Sequence, residues 1–171
     1  MKTARKPLLL FSLLAALSAV GASSEKKAQT LKTFTTADQT ISKEATVTDE
    51  KEWLVDAKKA QVIRLFEVAD PNVEQCMVIY RAKLKTEGLT EPAYLEMWCR
   101  FPGKGEYFSR GLDNTVTGSN NWASYETPFF LQKGEKPDLI KLNLVMKGPG
   151  KVWVKEVELL KGPLPPKPQS K

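Results

Sequence analysis

Residues 93–114, AYLEMWCRFPGKGEYFSRGLDN, gather the side chains with the most capacity for chemistry. Alternation over 94–101 puts Leu95, Met97, Cys99 and Phe101 on one strand face and Tyr94, Glu96, Trp98 and Arg100 on the other. The first face is a complete apolar set. The second, two aromatics and two charges, is therefore free for another role. The chemistry it offers is non-covalent: aromatic rings stack on the apolar faces of sugar rings, while Arg and Glu bond the hydroxyls. A turn with Pro102, Gly103 and Gly105 follows, then Tyr107, Phe108, Arg110, Asp113 and Asn114, which a short loop would set at the rim.

Strands 75–86 and 92–101, joined as a hairpin through residues 87–91, would pair Ala82 with Leu95. That register places Arg81 opposite Glu96, Ile79 opposite Trp98 and Met77 opposite Arg100. The expected binding face is then Arg81, Tyr94, Glu96, Trp98 and Arg100, rimmed by Tyr107, Arg110, Asp113 and Asn114. The competing reading makes Trp98, Ile79 and Met77 a second apolar layer beneath a loop. Trp53, Trp122 and Trp153 are read as core or sheet-covering residues, because an indole buries enough area to anchor a small sandwich.

Covalent chemistry has few openings here. The chain contains no His, which removes Ser-His-Asp and Cys-His catalysis and histidine-based metal sites. Two isolated cysteines cannot build a four-sulfur zinc site. Gly103 and Gly105 stand between strands, away from any helix N-terminus, so they do not form a phosphate cradle. Glu96 and Glu126 could be nominated as a glycosidase pair, but any β domain of this charge content has such pairs. The sequence is read as non-catalytic, without metal or cofactor.

The elements that must hold this face are strands. Apolar runs recur at 53–55, 62–68, 76–84, 94–101, 122–131, 139–146 and 152–160. Turn signals separate them: Asp70-Pro71-Asn72, Glu87-Gly88, Pro102-Gly103, Gly118-Ser119-Asn120, Gly134 with Pro137, and Gly148-Pro149-Gly150. Seven or eight short strands without a helical period predict an all-β, two-sheet antiparallel jelly-roll sandwich over residues 49–161. Residues 49–59 fit strand plus turn. Residues 23–48, rich in Ser, Thr, Lys and Ala, read as a flexible segment with at most one loosely held strand. Residues 162–171, GPLPPKPQSK, read as an extended Pro-rich tail.

Residues 1–22 read as a secretory signal peptide. Lys2, Arg5 and Lys6 precede an apolar run, and Val20-Gly21-Ala22 forms a small-residue cleavage site. The run is short for a bilayer span, and no cysteine follows the cleavage point to carry a lipid. The expected product is exported, periplasmic or extracellular, with no membrane span in the mature chain. Three of the 26 basic residues leave with the leader, and Lys161, Lys167 and Lys171 lie in or beside the tail. Residues 23–160 thus carry 20 charges of each sign. A nucleic-acid binder needs a concentrated basic surface, which this body lacks.

In an oxidising compartment Cys76 and Cys99 could pair only as cross-strand neighbours. The register above sets Cys99 opposite Val78. Bringing Cys76 there needs a two-residue turn that would carry Pro92 into the ladder, where it cannot donate. Two buried free thiols are favoured, with the disulfide left open.

At AYLEMWCRF and at the closing GPGKVWVKEVELL, the sequence resembles carbohydrate-binding modules of the CenC kind, within the galactose-binding-domain-like sandwiches. The block SRGLDNTVTGSNNWASYETPFFL looks like their Trp-then-strand segment, with Trp122 as the tryptophan. The resemblance covers residues 50–160 and implies a jelly roll that binds a polysaccharide or glycan. It does not carry a calcium site over, since Lys155-Glu156 stands where relatives hold an acidic pair. The alternative is a cell-envelope β-sandwich that contacts a protein partner through the same exposed patch.

Overall fold

The computed structural model describes residues 28–166, and the leader assigned to residues 1–22 lies outside them. The described chain is built from nine antiparallel strands and no helix. These are β1 (Gln29–Phe34), β2 (Ala45–Val47), β3 (Trp53–Ala57), β4 (Gln61–Ala69), β5 (Met77–Phe101), β6 (Gly105–Arg110), β7 (Val116–Phe130), β8 (Leu139–Met146) and β9 (Gly150–Gly162). The ladder runs β2-β3-β9-β5-β8-β4, with β1 added to β9 and both β6 and β7 to β5.

The 25-residue β5 belongs to both halves of the sandwich. Residues 77–87 lie between β9 and β7, and residues 93–101 lie between β8 and β6. The expected hairpin is absent. Glu87-Gly88 reads as a turn by composition, but Leu89 is buried and pairs with Gly118, so β5 bends and carries on into the other half. Gly88 supplies the bend with φ of +63°, a conformation glycine adopts without steric cost. Gly150 permits the tight crossing, since a Cβ there would sit 2.8 Å from the Leu89 backbone.

Val78, Tyr80, Ala82 and Leu84 from one half of β5 join Leu95, Met97, Cys99 and Phe101 from the other in one apolar core. In β9 the buried positions shift phase, from Val152 and Val154 to Val157 and Leu159. The register skips a residue there, and Glu156 takes φ of +49°. This bulge keeps apolar groups inward on both sides of it and leaves Lys155 and Glu156 outside. Cys76 and Cys99 are buried free thiols, and burial pushes Cys99 up to about 12.

Residues 28–48 are more structured than their composition suggests. They supply β1 and β2, paired with β9 and β3. Phe34 is buried and stacks on Phe66 at 4.1 Å, with Trp53 edge-on to Phe66 at 5.2 Å. Residues 163–166 have no regular structure, and the rest of the tail lies outside the described residues.

Candidate functional site

The outer face of the β4-β8-β5-β6 half forms a shallow groove of about 460 Å³, lined by Val62, Arg64, Glu96, Trp98, Glu106, Arg110, Lys141 and Asn143. Cross-strand pairing sets its width. Trp98 lies opposite Lys141 on β8 and Phe108 on β6, while Glu96 lies opposite Asn143 and Arg110.

Glu96 organises the floor. Its Oε1 accepts from Trp98 Nε1 at 2.7 Å and from Asn143 Nδ2 at 3.2 Å, and its Oε2 accepts from Arg110 Nε at 2.7 Å. The residue is only 4% exposed. Burial pushes its pKa up, but the hydrogen bonds from Arg110, Trp98 and Asn143 outweigh that and hold the carboxyl below the usual range. With three donors satisfied, Glu96 orients the side chains around it and leaves little acceptor capacity for a ligand. The carboxylate can only accept, so it also fixes the Asn143 amide with Nδ2 toward it. Asn143 Oδ1 is left buried without a hydrogen-bond partner.

Trp98 is half-buried, its ring 5.0 Å from Phe108, and the Arg110 guanidinium lies 4.2 Å from the Phe108 centroid. The cations of the groove are each closed on an acid: Arg110 on Glu96, Lys141 on Glu106 and Arg64 on Glu67. The surface therefore offers an aromatic plate and fixed donors with little net charge.

The expected site residues do not all come together. Glu96, Trp98 and Arg110 meet in the groove. Arg100 lies just beyond it, bonded through Nε and a terminal nitrogen to both oxygens of Asp138 at 2.9 and 3.1 Å. Tyr94 is buried farther along the strand, opposite Val145. Tyr107 is exposed on β6, edge-on to Phe101. Asp113 joins Phe108 and Arg110 around a second depression toward β7, and Asn114 sits in the loop that follows.

Arg81 does not join the groove. It lies on the outside of the other half and pairs with Glu126 at 2.9 Å, so neither an Arg81–Glu96 pair nor an Ile79–Trp98 contact exists. The physical reason is the continuous β5, which sends residues 77–87 to a different face from residues 93–101.

Sequence reasoning missed Val62, Arg64, Glu106, Lys141 and Asn143. One signal was present: Lys141 and Asn143 are period-two polar interruptions in the otherwise apolar run LIKLNLVM, as expected for an outward face with work to do. Of the tryptophans read as core or sheet-covering, Trp53 is in the core, while Trp122 and Trp153 lie half-buried on one outer face.

No protein-family model and no curated protein matches the chain. Among solved structures, it is similar to the CBM22-1 xylan-binding domain of Paenibacillus barcinonensis Xyn10C. The TM-score is 0.52 at 9% identity, over 81% of this chain and 97% of that one. A mutant of the family 29 carbohydrate-binding module CBM29-2, complexed with mannohexaose, matches with a TM-score of 0.49 at 12% identity, over 82% and 99% of the two chains. At such identities the likeness is one of fold. The chain is an antiparallel β-sandwich of the architecture that carbohydrate-binding modules use.

Proposed function

We propose that the chain is an exported, non-catalytic carbohydrate-binding protein of CenC-like type that lays a neutral polysaccharide along the Trp98 groove. The observation that supports this most is the Glu96 hub. A single buried carboxylate fixes the indole, the Arg110 guanidinium and the Asn143 amide in one arrangement before any ligand arrives, which lowers the ordering cost of binding. A sugar ring would stack on Trp98, with Arg110 and Lys141 donating to its hydroxyls. Closed ion pairs on every side favour an uncharged glycan. Tyr107, Asp113 and Asn114 would extend the rim, and Tyr94 and Arg100 would shape the ends.

Affinity electrophoresis through gels containing xylan, mannan or β-glucan tests the reading. The protein should be retarded by at least one of them, and Trp98→Ala should abolish that retardation. No retardation in any neutral polysaccharide, or unchanged retardation of the variant, would refute it.

A second reading has its own support. Tyr107, Phe108, Leu112 and Phe130 are all at least half exposed or nearly so along the β6–β7 edge, an apolar rim suited to a protein partner in the cell envelope. Phe130→Asp would then abolish partner capture while leaving polysaccharide retardation intact.

A further inference from the structure

The other half of the sandwich carries its own aromatic cluster. Trp153 and Lys155 on β9 face outward together, next to Lys85 on β5 and Trp122 on β7. Lys155 Nζ lies 3.9 Å from the Trp122 centroid, and Lys85 Nζ lies 4.5 Å from Trp153 and 5.2 Å from Trp122. Both ammonium groups reach one carboxylate, Glu52, at 3.3 and 4.0 Å. The Glu52 side chain is 12% exposed against 31% and 34% for the lysines, so the acid lies beneath and the cations face out.

Charge decides what this face would take. Two cations share one anion, leaving one positive charge uncompensated within the cluster. The flanking lysines are different: Lys83 is closed on Glu156 and Lys151 on Glu87, each at 2.8 Å. Cation–π attraction holds the two ammonium groups over the indoles, so the surplus charge has a fixed address. Beside it opens a depression of about 370 Å³, where Lys85 and Trp153 meet Thr86, Ser119, Asn120 and Asn121, together with Glu87, whose carboxylate is already closed on Lys151. Hydroxyl and amide groups around an indole edge suit a hydroxyl-rich ring better than a peptide.

We propose that this face is a second binding site, for a sugar bearing one carboxylate or sulfate. The anion takes the place of a second carboxylate at Lys85 and Lys155, and the ring rests in the depression beside Trp153. The site is separate from the Trp98 groove, which lies on the opposite face and uses none of these residues.

Affinity electrophoresis of the full mature chain in polygalacturonate and in dextran sulfate tests it, with neutral dextran and poly-glutamate as comparisons. Retardation is expected in one or both acidic polysaccharides, the stronger arm naming the acid group. Lys155→Gln should weaken it about tenfold, the usual scale for losing a charge-assisted contact. Glu52→Gln should strengthen it several-fold, a direction that damage to the fold cannot produce. Trp98→Ala and the charge-matched Lys136→Gln should leave it unchanged. The site is refuted if neither acidic polysaccharide retards the protein more than dextran, or if Lys155→Gln has no more effect than Lys136→Gln. It is also refuted if Glu52→Gln weakens binding or Trp98→Ala abolishes it. Equal retardation by poly-glutamate would refute a sugar as the ligand.

Discussion

Two outer faces share one strand and use carboxylates in opposite ways. On one, Glu96 is buried and receives three donors, each with its own geometry. On the other, Glu52 lies under two lysines and balances only one of them. A carboxylate that saturates its neighbours produces a rigid, nearly neutral surface. One that is outnumbered leaves a cation over. Both faces display half-buried indoles, so the difference in ligand would come from ion-pair stoichiometry and not from aromatic content.

The largest effect should come from removing the first carboxylate. Glu96→Ala strands Asn143 and unfixes Trp98 and Arg110, and should cost about 2–3 kcal/mol in urea unfolding, as for hydrogen bonds to a charged group. It should also abolish retention on the neutral polysaccharide. Acid should reproduce part of this. The folded Glu96 carboxyl titrates below its ordinary value, so its contribution is complete above the unfolded pKa and is lost as pH falls through the folded one. The stability difference between wild type and Glu96→Gln, measured by urea midpoints, should stay level from pH 7 to about 5 and shrink below about 4.5. A difference that grew on acidification would reverse the account of the hub.

Trp98→Ala should cost less, about 1–2 kcal/mol, because a ring that is only partly buried forfeits only part of a core tryptophan's burial, yet retention should vanish. A loss of about 3–5 kcal/mol, the scale for a buried tryptophan, would mark Trp98 as core. Smaller still, Glu52→Gln should change the melting temperature little, since each lysine keeps its indole. Arg81→Ala should alter neither retention nor, measurably, the melting curve, because its partner Glu126 is a solvent-exposed surface group. If Arg81→Ala weakened binding to the neutral polysaccharide, the separation of the two faces would fail.

The sequence carried the strands that bury one face and concealed those that do not. Residues 139–146 are legible to the residue, because LIKLNLVM is apolar almost throughout. β6 is not: in GEYFSR the aromatics are adjacent and nearly every position is exposed, so no period appears. β1 buries little besides Phe34 and slips register between Thr30 and Lys32, which hides it among polar residues. The candidate site shows the same limit. Tyr94, Glu96, Trp98 and Arg100 share a face by alternation alone, but their neighbours depend on the path of β5. Gly88 is locally indistinguishable from a hairpin turn. Only the burial of Leu89 and its pairing with Gly118 reveal that the strand continues.

The pairing of β1 with β9 has a mechanical corollary. Gln29 lies beside Lys161, so the two ends of the sandwich leave from the same end of one antiparallel ribbon. Tension applied through both would peel that ribbon apart one hydrogen-bonded pair at a time, instead of loading every pair in shear at once. A domain tethered at both ends would yield first by shedding β1, with the Trp98 groove, on the opposite half, still intact.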